Sequence, residues 1–337
     1  MKIIVPMAGR GSRLRPHTLT VPKPLVPVGG KPIVHRLVED IAAVCSEPID
    51  EIAFVIGDFG EEVEQELMDL AKSLGAQGSI FHQEEPLGTA HAVLCAKEKL
   101  DGPVVVAFAD TLFKADFKID PADDGVLWVK QIQDPSAFGV VKTNENNEIT
   151  DFVEKPQTFV SDLAMIGIYY FKAAEDLLEE LNYLVENNII KGGEYQLPDA
   201  LKRLTEKGKR FKPGKVQEWL DCGNKKVTVH ANQRILEFDR EKGVDLIHET
   251  ATVKNSVIIP PCFIGADAVI ENSVVGPHVS VNKASQVLSS VVKNTIIQKE
   301  SSLANTVIAD SMIGNKVTVK KNPKNLSVGD YCSISEE

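Results

Sequence analysis

Several features that would direct a reading are missing from this sequence. It holds only five cysteines in 337 residues, at positions 45, 95, 222, 262 and 332, with no C-x-x-C pair and no zinc spacing. The odd number suits reduced thiols rather than a disulfide framework. No stretch approaches the roughly 20 apolar residues of a membrane span. The N-terminus enters "KIIVPMAG" after a single Lys, without the apolar core and cleavage site of a secretory leader. A cytoplasmic protein with no membrane partner is expected. Basic charge is scarce too: 37 Lys plus Arg face 48 Asp plus Glu, a net charge of −11. The deficit is uneven, since residues 251–337 hold 8 Lys and 7 acidic residues, or +1, which leaves −12 on residues 1–250. Nucleic-acid affinity rests on a basic face that neutralises phosphates, so no nucleic-acid partner is expected.

What is present is an ordinary globular composition, 43% hydrophobic and 25% charged, in a chain long enough for two domains. Residues 1–130 alternate apolar strands with amphipathic helices. "KIIVPM", "EIAFVIG", "SIFHQ" and "PVVVAFAD" read as strands. "PIVHRLVEDIAAVC", with Pro32 in its first turn, "EEVEQELMDLAKSLG", closed by Gly75, and "GTAHAVLCAKEKL" read as helices. Short buried runs separated by helices predict a Rossmann-like, doubly wound α/β sheet covered on both faces. Residues 125–172 are richer in strand; two helices, a strand ending at "EWLDCG" and a helix near 225–241 follow.

From about residue 250 the helical period vanishes and aliphatic residues recur every six. Ile258, Ile264 and Ile270 form one run, and Val275, Val281 and Val287 a second. Val291, Ile297 and Leu303 form a third, and Val307, Ile313 and Val319 a fourth. One inward aliphatic per face of a triangular coil gives this period, which predicts a short left-handed parallel β-helix with shortened corners between runs. An antiparallel meander is the alternative, but alternation alone does not favour a period of six. The division expected is 1–241 and 242–337. The stacked core would expose an apolar end unless capped, so a homo-oligomer is expected.

One local exception to the acidity is "AGRGSRLRP", residues 8–16, which gathers Arg10, Arg13 and Arg15 beside Gly9 and Gly11. It leaves the first strand at its carboxyl end, where ligands of parallel sheets sit. Generic motifs explain it poorly. Leu14 stands where a dinucleotide fingerprint has its third glycine, and no P-loop occurs. The longer string "MAGRGSRLRPHTLTVPKPLVPVGGKPI", residues 7–33, resembles the signature of the sugar-1-phosphate nucleotidylyltransferases. Further matches follow in order: "QEEPLGTAHAV" (83–93), "FAD" (108–110), "FGVV" (138–141), "VEKP" (153–156) and "WLDCG" (219–223). A hexapeptide-repeat tail is also common in that family.

The resemblance implies that a sugar 1-phosphate oxygen attacks the α-phosphorus of a nucleoside triphosphate, with pyrophosphate leaving. Because the nucleophile is already ionised, the protein supplies charge neutralisation and positioning rather than a general base. By that resemblance Arg13, Lys23 and Asp110 are the catalytic residues, with Arg13 on the leaving pyrophosphate and Lys23 on the reacting phosphates. Ala8, Gly9, Gly11, Gln83, Pro86, Gly88 and Thr89 would bind the nucleotide, the Gln83 amide reaching the base edge and Gly88 letting the base lie close. Gly139, Glu154, Lys155 and Glu194 would bind the sugar phosphate. Asp110 and Asp221 would hold Mg2+, which uses few protein ligands. Arg10 and Arg15 fall outside the fixed pattern and read as solvated charges, and His91 as structural. "PLGTAHAV" points to UTP or dTTP, with a hexose 1-phosphate such as glucose 1-phosphate. Two other readings remain. A non-catalytic nucleotide-sugar sensor would be expected to lose Arg13, Lys23 or a metal carboxylate. A hexapeptide acyltransferase would need more coils and a catalytic histidine, and the repeats contain only His278.

Overall fold

In the computed structural model residues 1–9, 11–322 and 327–333 are described, and Arg10 lies outside the described residues. The chain packs as two units: Met1–Pro27 with Lys31–Ala231, and Val28–Gly30 with Asn232 onward. That boundary falls inside a helix, ten residues before the division expected from composition.

The first unit is built on β1 (Lys2–Pro6), α1 (Ile33–Val44), β2 (Glu51–Ile56), α2 (Glu61–Ser73), β3 (Gln77–His82), α3 (Thr89–Leu94) and β4 (Val104–Ala107). β5 (Thr111–Lys114), β6 (Gly125–Gln131), β7 (Gly139–Thr143), β8 (Ile149–Glu154) and β9 (Leu163–Phe171) come next. Then come α4 (Ala174–Glu186), α5 (Leu197–Glu206), β10 (Phe211–Lys215), β11 (Glu218–Asp221) and α6 (Lys225–Glu241). The main sheet runs β8-β7-β9-β4-β1-β2-β3, with β6 also on β9 and β10 on β6. β1, β2, β3 and β4 are mutually parallel. β9 runs antiparallel to β4 and β6. This is the doubly wound α/β class expected.

The pattern of apolar residues explains the layering. β2 is buried along its whole length, as a strand covered on both faces must be. In α1, Ile33, Val34, Leu37, Val38, Ile41 and Val44 are buried, a helical stripe whose larger side chains each contribute about 1.5–3 kcal/mol on burial. Pro32 stands just before α1 rather than in its first turn. α2 closes at Gly75, whose φ of +76° suits the left-handed residue after a helix. α3 is shorter than its sequence suggests, giving way to a single 3-10 turn at Lys97–Lys99.

The second unit is the β-helix. Thr252–Lys254, Val269–Glu271, Gln286–Leu288, Ser302–Ala304 and Thr318–Lys320 stack in parallel on one face. Their register advances by 17, 17, 16 and then 16 residues per coil. Ile264, Ile270, Val275, Val281, Val287, Ile297 and Leu303 are fully buried in its core. The third and fourth sequence runs start one residue early, however. Val292 follows Val275 in register and Ile308 follows Val292, while Val291 is 44% and Val307 75% exposed. In a V-V or V-I pair period alone cannot choose the inward residue, because neighbours in a strand face opposite sides. Hydroxyls stack at the corners: Ser256, Ser273 and Ser290 each accept the backbone N–H of the next rung, ending at Thr306. No helix among the described residues is long and apolar enough to cross a membrane.

Candidate active site

The strand order places the site. From β1 the chain moves outward to β2 and β3, then crosses back to β4 on the other flank of β1. The carboxyl ends of β1 and β4 therefore diverge, and ligands bind in such a crevice. β1 delivers the glycine-arginine loop there, and β4 delivers Phe108, Ala109 and Asp110. The ends of β1, β2 and β3 are laced together, with Met7 N–H on the Val55 carbonyl at 2.8 Å and Gln83 N–H on the Ile56 carbonyl at 2.8 Å.

At the crevice a cavity of ≈ 250 Å³ is lined by Gly9, Gly11, Arg13, Lys23, Asp110 and Gly223, among others. Lys23 begins a 3-10 turn, Lys23–Leu25, and is only 7% exposed. Its Nζ lies 3.1 Å from Asp110 Oδ2. Gly9 opens onto free space, whereas Gly11 abuts the Lys23 side chain. Arg15 lines none of the three cavities described here.

Asp110 and Asp221 meet through a two-stranded ribbon. β11 pairs antiparallel with β5, Asp221 opposite Thr111, and Cys222 N–H donates to the Asp110 carbonyl at 3.0 Å. Asp221 Oδ1 accepts the Gly223 N–H at 2.8 Å. Burial raises the Asp221 carboxyl above its usual range and the charge of Asp110 adds to this, while Lys23, the Gly223 N–H and Arg13 oppose it. Two converging carboxylates beside a phosphate-sized space fit a small hard cation that keeps water and phosphate in its shell. The described residues hold no group of three or more His, Cys, Asp or Glu suited to a metal, so the fit is to a two-carboxylate site.

Ala8, Gly9, Gln83 and Pro86 line a second cavity of ≈ 640 Å³, with Gly57, Asp58, Phe59, His82 and Glu84. The Gln83 amide is already held: its Nε2 donates to the Gly88 carbonyl at 3.2 Å and lies 3.2 Å from His91 Nδ1. Gly88 lines none of these cavities. A Cβ there would meet the Tyr195 carbonyl at 2.5 Å, so the glycine makes room for the protein's own backbone. Tyr195 N–H donates to the Leu87 carbonyl at 2.8 Å and Ala90 N–H to the Tyr195 carbonyl at 3.0 Å.

The third cavity, of ≈ 430 Å³, shares Arg13 and Asp110 with the first and includes Thr89, Gly139, Glu154, Lys155 and Asp221. Thr89, expected on the nucleotide side, faces this compartment, and its hydroxyl accepts the Leu197 N–H at 3.0 Å. Glu154 pairs across the sheet with Gly139. A Cβ at Gly139 would meet Met165 Cε at 2.5 Å and Glu154 Oε2 at 2.7 Å, so the space there belongs first to the glutamate. Lys155 sits at φ +44°, an uncommon conformation for a side chain of this size, with its N–H on the Phe138 carbonyl at 3.1 Å. Glu194 is outside the lining; Gln196, two residues on, takes its place.

Sequence reasoning passed over Gln196, Phe108, Phe138, Tyr169 and Trp219, all in the third cavity. Phe138 and Trp219 meet edge to face at 4.7 Å. Burial, then the charges of Glu154 and Asp110, drive the Tyr169 hydroxyl far above its usual range, so it stays a neutral donor. Both members of the aromatic pair lie inside quoted strings, "FGVV" and "WLDCG", and were readable there as walls. Gln196 and Tyr169 carry no comparable signal.

The chain is similar to known proteins. The sequence model described as Nucleotidyl transferase matches residues 2–237. A glucose-1-phosphate thymidylyltransferase of Streptomyces antibioticus is 30% identical, over 99% of each chain. A mannose-1-phosphate guanylyltransferase catalytic subunit beta of Xenopus tropicalis is 29% identical over 77% of this chain and 72% of its own. Among solved structures, a UDP-glucose pyrophosphorylase complexed with UDP-glucose superposes with a TM-score of 0.57 at 24% identity, over 70% of this chain and 98% of its own. That last likeness is one of fold.

Proposed function

The chain belongs to the nucleotidyl transferase family, and from that premise we propose how its residues divide the work and which substrates it takes. The protein is a sugar-1-phosphate nucleotidyltransferase: it joins a nucleoside triphosphate to a sugar 1-phosphate and releases pyrophosphate. One observation carries the assignment of residues. Arg13 and Asp110 line both the glycine-loop cavity and the cavity of Glu154 and Lys155, so two phosphorylated substrates would meet at their wall.

In the proposed mechanism the triphosphate lies along Gly9 and Gly11, with its base beside Gln83. The sugar rests against Glu154, whose carboxylate accepts hydroxyl hydrogen bonds, and its phosphate is held by Lys155. Lys23 neutralises the reacting phosphates and Arg13 the departing pyrophosphate, as preorganised charges that need no rearrangement when the bond breaks. The sugar phosphate oxygen is ionised at neutral pH, so no proton has to be removed before it attacks in line. Asp110 and Asp221 would hold Mg2+, which when bound supplies positive charge against phosphate repulsion.

Deoxythymidine or uridine triphosphate with glucose 1-phosphate is the substrate pair proposed, supported by "PLGTAHAV" and by the thymidylyltransferase relative. Pyrophosphate release over a matrix of five nucleoside triphosphates and several sugar 1-phosphates tests it. Turnover confined to a purine triphosphate would overturn the base, and none with any pair the activity.

Residues 1–241 would form the catalytic domain and 242–337 a domain for assembly or stability. His278 has its Nε2 against Glu237 Oε1 at 2.5 Å. Val257, Val274, Val291 and Val307 align in register on the outside of the coils, which supports self-association as a homo-oligomer. Four of the five unpaired cysteines are at least partly buried, in keeping with a reducing, cytoplasmic location.

A further inference from the structure

Among the buried amides that the chemistry above leaves unused is Asn232, which is fully shielded from solvent. Its Oδ1 accepts the Gly29 N–H at 2.8 Å and the Ser280 hydroxyl at 2.7 Å. Its Nδ2 donates to the His278 carbonyl at 3.3 Å. All four residues belong to one packing unit, which claims Val28–Gly30 out of a stretch otherwise assigned to the other. Gly30, at φ +82°, lies under the Phe263 ring, and a Cβ there would be 2.3 Å from Cζ. The tip of the 28–30 turn is thus gripped by an amide and a ring.

What precedes that tip is "PKPLVPVG". Lys23 stands six residues before Gly29, and Pro22, Pro24 and Pro27 fix three of the intervening or flanking φ angles, so little slack remains. Val26 and Val28 are fully buried, which removes more.

We infer that Asn232 is a positioning residue for catalysis: by anchoring Gly29 it fixes the stiff segment that carries Lys23, and so the place of the Lys23 ammonium beside Asp110. The inference rests on the proposed role of Lys23 at the reacting phosphates. A shift of about 1 Å in such a group costs on the order of 10² in rate, whereas ground-state binding depends on many other contacts.

The test compares Asn232→Ala with the unaltered protein, each also carrying Lys23→Ala. Asn232→Ala should lower kcat about 10- to 100-fold with KM changed less than about threefold. In the Lys23→Ala background it should cost less than about twofold. A readout independent of activity is acetylation of the Lys23 amine by acetic anhydride, followed by mass spectrometry; its rate should rise about threefold or more. Unchanged labelling, or equal kcat losses in both backgrounds, overturns the inference. Full activity of Lys23→Ala alone would instead sink the role given to Lys23, while the labelling still reports on the anchor. If Asn232→Ala does not fold, Ser280→Ala, which removes one hydrogen bond of the same amide, should raise the labelling rate, and no rise overturns the inference.

Discussion

Lys23 and Asp110, 87 positions apart in sequence, stand 3.1 Å from one another, ammonium to carboxylate, at the wall where two cavities meet. The lysine is nearly buried and the aspartate side chain is 46% exposed, so the cation is held in place and the anion remains free to turn toward a ligand. Lys23→Ala should therefore lower kcat by on the order of 10² or more, with little effect on folding. Arg13→Ala should fall in the same range, and Arg15→Ala should keep far more activity, because Arg15 lines none of the three cavities of the site. Steady-state kinetics decide this, and equal losses at Arg13 and Arg15 would show the pyrophosphate contact misassigned.

Asp110→Asn and Asp221→Asn should each abolish most activity while circular dichroism stays native. If both carboxylates act through one divalent ion, the double variant should cost far less than the product of the single losses. Excess EDTA should silence the unaltered enzyme. Multiplying losses, or turnover that survives EDTA, would separate the two residues.

Gly139→Ala probes the sugar side. The added methyl collides with Glu154 Oε2 and Met165 Cε, so Glu154 must swing away, at a stability cost of about 1–3 kcal/mol. KM for the sugar 1-phosphate should rise more than KM for the triphosphate. An equal rise in both would mean that Glu154 does not face the sugar.

The His278 ring beside Glu237 holds that carboxyl below its usual range, with Arg240 and Arg234 adding to the effect. A depressed folded pKa gives stability that is present above the unfolded value and lost as pH falls through the folded one. The unaltered protein should be more stable than Glu237→Gln at neutral pH, and the gap should close as the pH drops below about 4. Chemical denaturation at a series of pH values reads this directly. A gap that stays constant into acid would remove the charge from the explanation.

The register of the β-helix makes a paired prediction. Val292→Ala empties a fully buried rung and should cost about 2 kcal/mol. Val291→Ala, one residue away on the outside, should stay within about 0.5 kcal/mol in the isolated chain. Thermal melts of the two variants separate them.

Much of this was legible in the sequence for identifiable reasons. The doubly wound half announces itself because its strands are buried on both faces, so apolar runs such as "EIAFVI" cannot be mistaken for amphipathic ones. The β-helix was visible in its period, but Val291 and Val292 are chemically alike, and only the corner length decides which turns inward. The glycine-arginine loop and both aspartates stand in local strings, so the resemblance names them before any fold is known. That Gln196 rather than Glu194 lines the third cavity was not legible, because which side of a turn faces a cavity depends on the segment stitched to Leu87 and Ala90.

The ribbon of β5 and β11 sets a timetable for the making of this protein. Asp110 leaves the ribosome long before Asp221, next to a strand, Thr111–Lys114, whose antiparallel partner is Glu218–Asp221. Until that partner emerges, β5 has an open edge and the crevice has one of its two carboxylates. A nascent chain halted at residue 200 would have the glycine loop, Lys23 and Gln83, the residues proposed to bind the triphosphate, but not the second acid. Under the roles proposed for Asp110 and Asp221, the pair of metal carboxylates is completed in one step, when β11 brings Asp221 beside β5.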